Sequence, residues 1–538
     1  MSSSSKMVGV DRSSTVGGLM TGVNQKSDVH RRIPDATAPR RLPRATPESQ
    51  GVDPEALRGL VGALDGIRDV HSLMVLRHGH VVAEGWWHPY RADEPHVMFS
   101  VSKTFTAVAV GLAVAEGLLG VDDRVVDLLP GDAPPEPGEH LAAMRVRHLL
   151  TMTSGHGTDT MNFTLRNLHR PGASWARDIL AAPVTHEPGT RFVYNTGATY
   201  LLSAILHRLT GERLLDYLTP RLLAPLGITG ATWEQDPRGI DVGGYGLAIT
   251  TEDLAAFGQL LLQRGRWGDA QLVPAAWVDE LSAAQVDNGP HEWLDWRRGY
   301  GYQVWRCRGD AYRADGAFGQ FAVVWPEHDA VVVLTSGTAQ TNVELEAVFD
   351  HLEGAFTEVP DAGTPAGGES LVLEGLAVHV PDGAPTAAIE PFVAGSRFVL
   401  EPEVGARAEH PGGPPFPMHS VAVHRRRGGG EGGDAIDLVW TREHGGPEHV
   451  VRCGVGHWVR GTADLDGEEV AVAGAAAWTE HATLTLRLLR LGTPFALDVA
   501  LRFGGDGEGR YVEVAVDQNV SFGPTELLRA TGIGSPDA

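Results

Sequence analysis

The sequence predicts an α+β chain. An antiparallel sheet flanked by helices carries a helical subdomain, and an all-β barrel or sandwich follows it. Three observations predict this. Strand-like runs stand at both ends of residues 45–358 with helical-period runs between them, the pattern of an antiparallel sheet with a helical insert. Residues 359–370 hold Pro360, Gly363, Pro365, Gly367 and Gly368, the composition of a linker. Residues 371–532 then read as short alternating strands broken by Gly, Asp and Pro. At 538 residues the chain exceeds one ordinary core, which fits two domains behind an N-terminal arm, residues 1–44.

The arm is rich in Ser, Thr and Arg and has no apolar run long enough for a signal-peptide core, so it reads as disordered. Order is expected from Thr46-Pro47-Glu48, a helix-start signal ahead of Ala56, Leu57, Leu60, Val61 and Leu64 at helical period. Ser72 to Arg77 and Val81 to Trp87 read as two strands joined at His78-Gly79-His80. Two turn histidines without a third ligand in sequence read as solvated turn residues, not a metal site.

A helix follows from Ser100 through Leu112, stopped at Gly117 and Gly120, and Leu149 to Gly157 passes from helix into loop. Ser174 to Leu226 is mostly helical, interrupted at Pro188 to Asn195, and Gly243-Gly244-Tyr245-Gly246 leads into another helix at Glu252. Strands are expected at Tyr302 to Trp305, Phe321 to Trp325 and Ala330 to Leu334, then an amphipathic helix from Val343 to Phe356. Beyond the linker, strands are expected at Arg397–Leu400, Ser420–Val423, Ile436–Trp440, Val450–Cys453, Val470–Ala473, Thr483–Leu488, Ala496–Leu501 and Tyr511–Val516. Arg425 to Gly430 reads as a hairpin loop rather than a basic patch.

Composition narrows the function. A formal net charge of −24 argues against a nucleic-acid or anionic-membrane partner, and no stretch is long enough to span a bilayer. With only Cys307 and Cys453, neither a disulfide framework nor metal or redox spacing exists. These features read as a cytoplasmic protein, with its substrate and oligomeric state left open.

One stretch carries chemistry. Ser100 and Lys103 stand three apart at the head of the helix running through Phe105, Val108 and Leu112, so amine and hydroxyl share a face. Among 44 Lys and Arg residues only Lys6, Lys26 and Lys103 are lysines, and the first two lie in the arm. Arginine keeps its proton at any usable pH, whereas a buried lysine can be neutral and act as a base. A neutral amine can deprotonate a serine, and a phenol can share the task if a cation lowers its pKa. Tyr194, on the loop between Pro188-Gly189 and Thr196-Gly197-Ala198, is the candidate phenol, set against a plain core tyrosine.

Phe99 to Phe105 resembles the active-site helix of the class C β-lactamase-like serine hydrolases, the group of β-lactamases, penicillin-binding-type peptidases, D-aminopeptidases and carboxylesterases. His148 to Gly155, Phe192 to Gly197, Gly246 to Leu254 and Ala314 to Gly319 are similar to further motifs of that group, in its order, across about residues 45–357. The resemblance implies a β-lactamase-like fold, Ser100 as acylated nucleophile, and Lys103 and Tyr194 as the proton-handling pair. It implies an oxyanion hole of the Ser100 and Ala317 backbone N–H groups, and neither metal nor organic cofactor.

Two departures shape the substrate expectation. Thr196 stands where asparagine is usual, leaving Asn195 beside it as the amide, and Ala314-Asp315 replaces the basic residue before Gly316. Asn195, Thr196, Asp315 and Gly316 are therefore the expected substrate-binding residues. Such a site attracts a carboxylate poorly, and Arg313 is expected to face away from its neighbour Ala314. Esterase or amidase action on neutral or amine-bearing acyl compounds thus ranks above β-lactamase or D-aminopeptidase-type action. Acyl transfer uses the same residues, and a non-catalytic binding protein on the same scaffold is the least favoured reading. The C-terminal domain carries no assignable role.

Overall fold

The computed structural model describes residues 42–164, 170–358, 368–402, 417–428, 433–465, 467–505 and 509–536. Residues 1–41 of the expected arm, 359–367 of the expected linker, and Gly429 and Gly430 lie outside the described residues.

Strands β1 (Val70–Arg77) and β2 (His80–Trp86) form the foreseen hairpin. His78 and Gly79 at its turn both take positive φ, 49° and 74°, the turn geometry whose twist matches that of paired strands. Four more strands return after the helical region: β3 (Trp305–Arg306), β4 (Tyr312–Gly316), β5 (Gln320–Trp325) and β6 (Ala330–Ser336). With β7 (Leu371–Val372) the sheet order is β7-β2-β1-β6-β5-β4-β3, antiparallel except where β7 joins β2.

Helices cover both faces, so β1 and β6 are buried along their whole length. Side chains alternate across a strand. Met74, Leu76, Val331 and Val333 join the core of α2 (Ser102–Ala115), α3 (Thr196–Thr210) and α4 (Thr251–Leu262). Leu73, Val75, Val332 and Leu334 instead meet α1 (Pro54–Asp65) and α5 (Thr341–Leu352). Helix α2 is buried from Ser102 through Ala113, as a helix apolar on every side must be. No helix among the described residues is long and apolar enough to cross a membrane.

Three local expectations need correction. The strand foreseen at Tyr302 to Trp305 is reduced to β3, because Gln303 turns left-handed at φ 63°. Its amide nitrogen donates to the Leu149 and Leu150 carbonyls at 3.0 and 2.9 Å, and its oxygen accepts from Thr199 at 2.6 Å. Arg44, placed in the arm, is buried between Glu84 and Glu252 at 2.8 and 2.6 Å. Leu371 and Val372, placed at the start of the C-terminal domain, extend the first sheet.

The C-terminal domain is a barrel. Its strands are β8 (Ser396–Pro402), β9 (Ser420–Arg426), β10 (Ala435–Thr441), β11 (Glu448–Val455), β12 (Val459–Asp464), β13 (Glu469–Trp478), β14 (Thr483–Arg490), β15 (Ala496–Gly504), β16 (Tyr511–Gln518) and β17 (Glu526–Pro536). The order is β11-β10-β9-β8-β17-β16-β15-β14-β13, and β11 closes the ring by pairing in parallel with β13, Cys453 opposite Gly474. Strand β12 pairs with the other half of β13. Closure removes the free edges that an open sandwich would leave. Arg425 and Arg426 end β9 in ion pairs with Asp434 and Asp437, at 2.9 and 2.8 Å, and Arg425 also meets Glu390.

The barrel is fastened to the first sheet by buried polar groups. Asp69, just before β1, accepts from Arg487 of β14 at 2.6 Å, with both side chains almost wholly buried. The Asn519 amide donates to Asp69, Gly337 and Pro494 oxygens at 3.2, 2.7 and 2.8 Å. Arg487→Met leaves a buried carboxylate without its main partner, and calorimetry should record a loss of about 3 kcal/mol. Arg68→Met, which breaks a pair whose arginine is exposed, should cost under about 1 kcal/mol.

Candidate active site

Ser100 sits in a tight turn, Phe99–Val101, that feeds α2, and Lys103 lies one helical turn on. The spacing brings Lys103 Nζ to 2.9 Å from Ser100 Oγ. Ser102 is turned inward, donating to the Phe99 carbonyl at 2.6 Å and accepting from the Leu247 N–H at 3.2 Å. The second hydrogen-bond partner of the amine is the Gly244 carbonyl, at 2.7 Å. A side chain at Gly244 would put its Cβ 2.7 Å from Thr196 Cγ2, so glycine lets this loop pass close enough to α3 to reach Lys103.

Lys103 is 1% exposed. Burial lowers its pKa from 10.5 to about 7, against the opposing pull of the Asp159 and Asp315 carboxylates. Near neutral pH the amine is therefore half deprotonated, with one N–H spent on Gly244 and its lone pair able to accept the Ser100 proton.

Tyr194 also belongs to this cluster. Its hydroxyl bonds Ser100, and its ring centre lies 4.9 Å from Lys103 Nζ. The ring is fixed by Trp305, stacked at 5.5 Å, and by Tyr300, edge-on at 6.4 Å. The expectation of a lowered phenol pKa is corrected. Burial raises it, the Ser100 bond only partly opposing, so the phenol stays protonated. It can pass a proton on, but Lys103 is the group able to take the first one.

Strand β4 ends at Gly316, against the segment that leads into Ser100. A Cβ at Gly316 would collide with the Met98 carbonyl, so only glycine admits the strand there. Ser100 lies in the first turn of its helical segment, where N–H groups have no partner within the helix. Ser100 and Ala317 are each flanked by a left-handed phenylalanine, Phe99 at φ 47° and Phe318 at φ 65°. Such a conformation costs a residue with a side chain about 1 kcal/mol or more.

The remaining expected residues divide. Asn195 is wholly buried: its oxygen accepts from the Thr160 N–H and hydroxyl at 2.9 and 2.8 Å, and its nitrogen faces Ser154 at 3.3 Å. It stitches the loop rather than reaching the cleft. Thr196 begins α3 beside Gly244, and its N–H donates to Asp159 at 3.0 Å. Arg313 does face away from Ala314, but it thereby shares the face of Asp315 and pairs with it at 2.8 Å. Asp315 is thus neutralised by a wholly buried arginine that also lies over the Trp296 and Trp305 rings, 4.3 and 5.7 Å from their centres. Paired in this way, Asp315 does not act as a free negative charge toward a substrate carboxylate. What stands is that Ala314 places a buried methyl group where the family motif has a cation.

Asp159, Tyr300 and Trp305 were not singled out from sequence. Asp159 had a legible signal, an acidic residue able to cap a following helix. The two aromatics had none, because long-range packing against Tyr194 rather than any local pattern brings them here. His156 is buried with its pKa lowered to about 4, bonded to Ser154 at 3.0 Å, and is a loop support. Among the described residues no group of three His, Cys, Asp or Glu could hold a metal ion.

The chain is similar in sequence to known proteins. The sequence model of the family described as Beta-lactamase matches residues 57–353. The 6-aminohexanoate-dimer hydrolase of Paenarthrobacter ureafaciens is 27% identical over 56% of this chain and 82% of its own length. Penicillin-binding protein 4 of Amycolatopsis lactamdurans is 30% identical over 55% of this chain and 86% of its own. Esterase EstB of Burkholderia gladioli is 29% identical over 32% of this chain and 46% of its own.

Because the chain has three lysines, selective lysine 13C labelling gives three ε-carbon signals, and one should titrate near pH 7 and vanish in Lys103→Arg. The sign for stability follows. Between pH 7 and 10.5 the unfolded chain holds a proton that the native chain has released, so native stability should rise with pH across that window.

Proposed function

The chain belongs to the beta-lactamase family of serine hydrolases, and from that premise we propose that it cleaves small esters or amides through an acyl-Ser100 intermediate. Neutral Lys103 takes the Ser100 proton as Oγ attacks the acyl carbonyl. The oxyanion is met by the Ser100 and Ala317 N–H groups, where preorganised donors act most strongly. Tyr194, bonded to Ser100 and protonated, relays the proton to the departing alcohol or amine. Water then attacks the acyl-serine with Lys103 again as base, releasing the acid and freeing the hydroxyl. No step draws on a metal or organic cofactor.

The observation that carries this reading is the buried Lys103 amine, 2.9 Å from Ser100 Oγ with its pKa brought to about 7. On the substrate, the relatives named for an esterase and for an aminohexanoate-dimer hydrolase support ester or amide cleavage. Ala314 supports acyl groups that are neutral or amine-bearing, because a substrate carboxylate would lack the cation of the family motif.

Kinetics with p-nitrophenyl esters, D-amino-acid amides and nitrocefin test the proposal. Esters or amides should be turned over with kcat/KM rising through pH 7, and Ser100→Ala should abolish turnover. Lys103→Arg, which keeps the charge and cannot lose it, should lower kcat/KM by about 100-fold or more. Fast nitrocefin turnover would overturn the substrate ranking.

A further inference from the structure

Two rings of the barrel domain reach the residues that flank both oxyanion donors. Phe99 precedes Ser100, and Phe318 follows Ala317. Their rings meet edge to face at 5.4 Å. Phe495, in the loop between β14 and β15, contacts both, at 6.1 Å from Phe99 and 5.9 Å from Phe318. Phe522, between β16 and β17, also contacts both, at 6.1 and 4.7 Å. Val520 is buried in the same cluster.

The two catalytic-domain phenylalanines are the strained ones, at φ 47° and 65°. Left alone, a residue with a side chain relaxes out of the left-handed region, and it stays there only when its surroundings over-determine it. For Phe318 the catalytic domain holds the carbonyl, through Ser336 Oγ at 2.9 Å and the Thr338 N–H at 3.2 Å. The side chains are caged from the other side by the barrel.

That cage is itself anchored. Asn519 donates to the carbonyl of Pro494, beside Phe495, and to that of Gly337, which follows β6. The Val97 N–H, three residues before Ser100, donates to the Gly492 carbonyl at 2.8 Å. Phe522 is 38% exposed, and an exposed ring in contact with both flanking phenylalanines is accounted for by what it holds.

We propose that the barrel is a working part of the active site: Phe495 and Phe522 hold Phe99 and Phe318 in their left-handed conformations, and so keep the Ser100 and Ala317 N–H groups aimed at one point. These are positioning residues, and the proposal rests on the serine-hydrolase reading above. Because the donors matter most when charge develops on oxygen, loosening them should lower kcat and spare ground-state binding.

The test uses the full chain, with p-nitrophenyl acetate as substrate and phenylboronic acid, whose tetrahedral adduct occupies the donors, as inhibitor. Phe495→Ala and Phe522→Ala should each lower kcat on the order of tenfold, part of what losing a whole donor costs. KM should stay within about twofold, the boronate inhibition constant should rise in step with the fall in kcat, and Phe522→Tyr should retain activity. If Phe495→Ala does not fold, Phe522→Ala at its exposed position carries the test. Unchanged kcat, or a raised KM with kcat kept, overturns the proposal, the latter by making the rings a substrate wall. So does a fall in kcat with boronate inhibition unaltered. A wild-type chain that neither hydrolyses the ester nor reacts with a fluorophosphonate overturns the hydrolase reading, and this proposal with it. An active wild type with unaffected variants overturns the clamp alone.

Discussion

The site depends on keeping one ammonium out of water. Lys103 is enclosed by α2, the Gly244 loop and the Tyr194 ring, and this enclosure brings its pKa to about 7. Asp159 and Asp315 act the other way, favouring the charged form. Burial outweighs them, in part because Asp315 already shares its charge with Arg313. A site with Asp315 unpaired would hold the lysine proton more tightly. The Arg313–Asp315 pair therefore bears on the lysine even though neither residue bonds it.

The rest of the first domain follows from the need to bury that helix. Helix α2 is covered on all sides by the sheet and by α3 and α4. Two glycines then set the close approaches: Gly244 brings a carbonyl to the amine, and Gly316 brings β4 against Met98. The barrel adds a third contact, its Phe495 and Phe522 rings meeting those of Phe99 and Phe318, the neighbours of Ser100 and Ala317.

Much of this was legible in the sequence, for identifiable reasons. The central hairpin, β5 and β6 show as apolar runs bounded by turn residues. The Ser100–Lys103 spacing, and a body whose other basic residues are all arginine, single out Lys103 directly. The Gln303 turn was not legible, because its cause is three long-range bonds to Leu149, Leu150 and Thr199. Neither was the burial of Asn195, whose partners Thr160 and Ser154 lie 35 and 41 residues earlier. Strand β17 escaped because Gly532 and Gly534 interrupt its alternation, although both sit paired against β8. The joining of the domains through Asp69 and Arg487 lies 418 residues apart in sequence, beyond any local pattern.

The central claim is that a neutral Lys103 activates Ser100. It is tested most directly by the rate at which a fluorophosphonate modifies Ser100, read by peptide mass mapping across pH. A rate that rises with a midpoint near pH 7, with the adduct on Ser100, is the result this account predicts. An adduct on another residue, or a midpoint near the ordinary lysine value of 10.5, would contradict it.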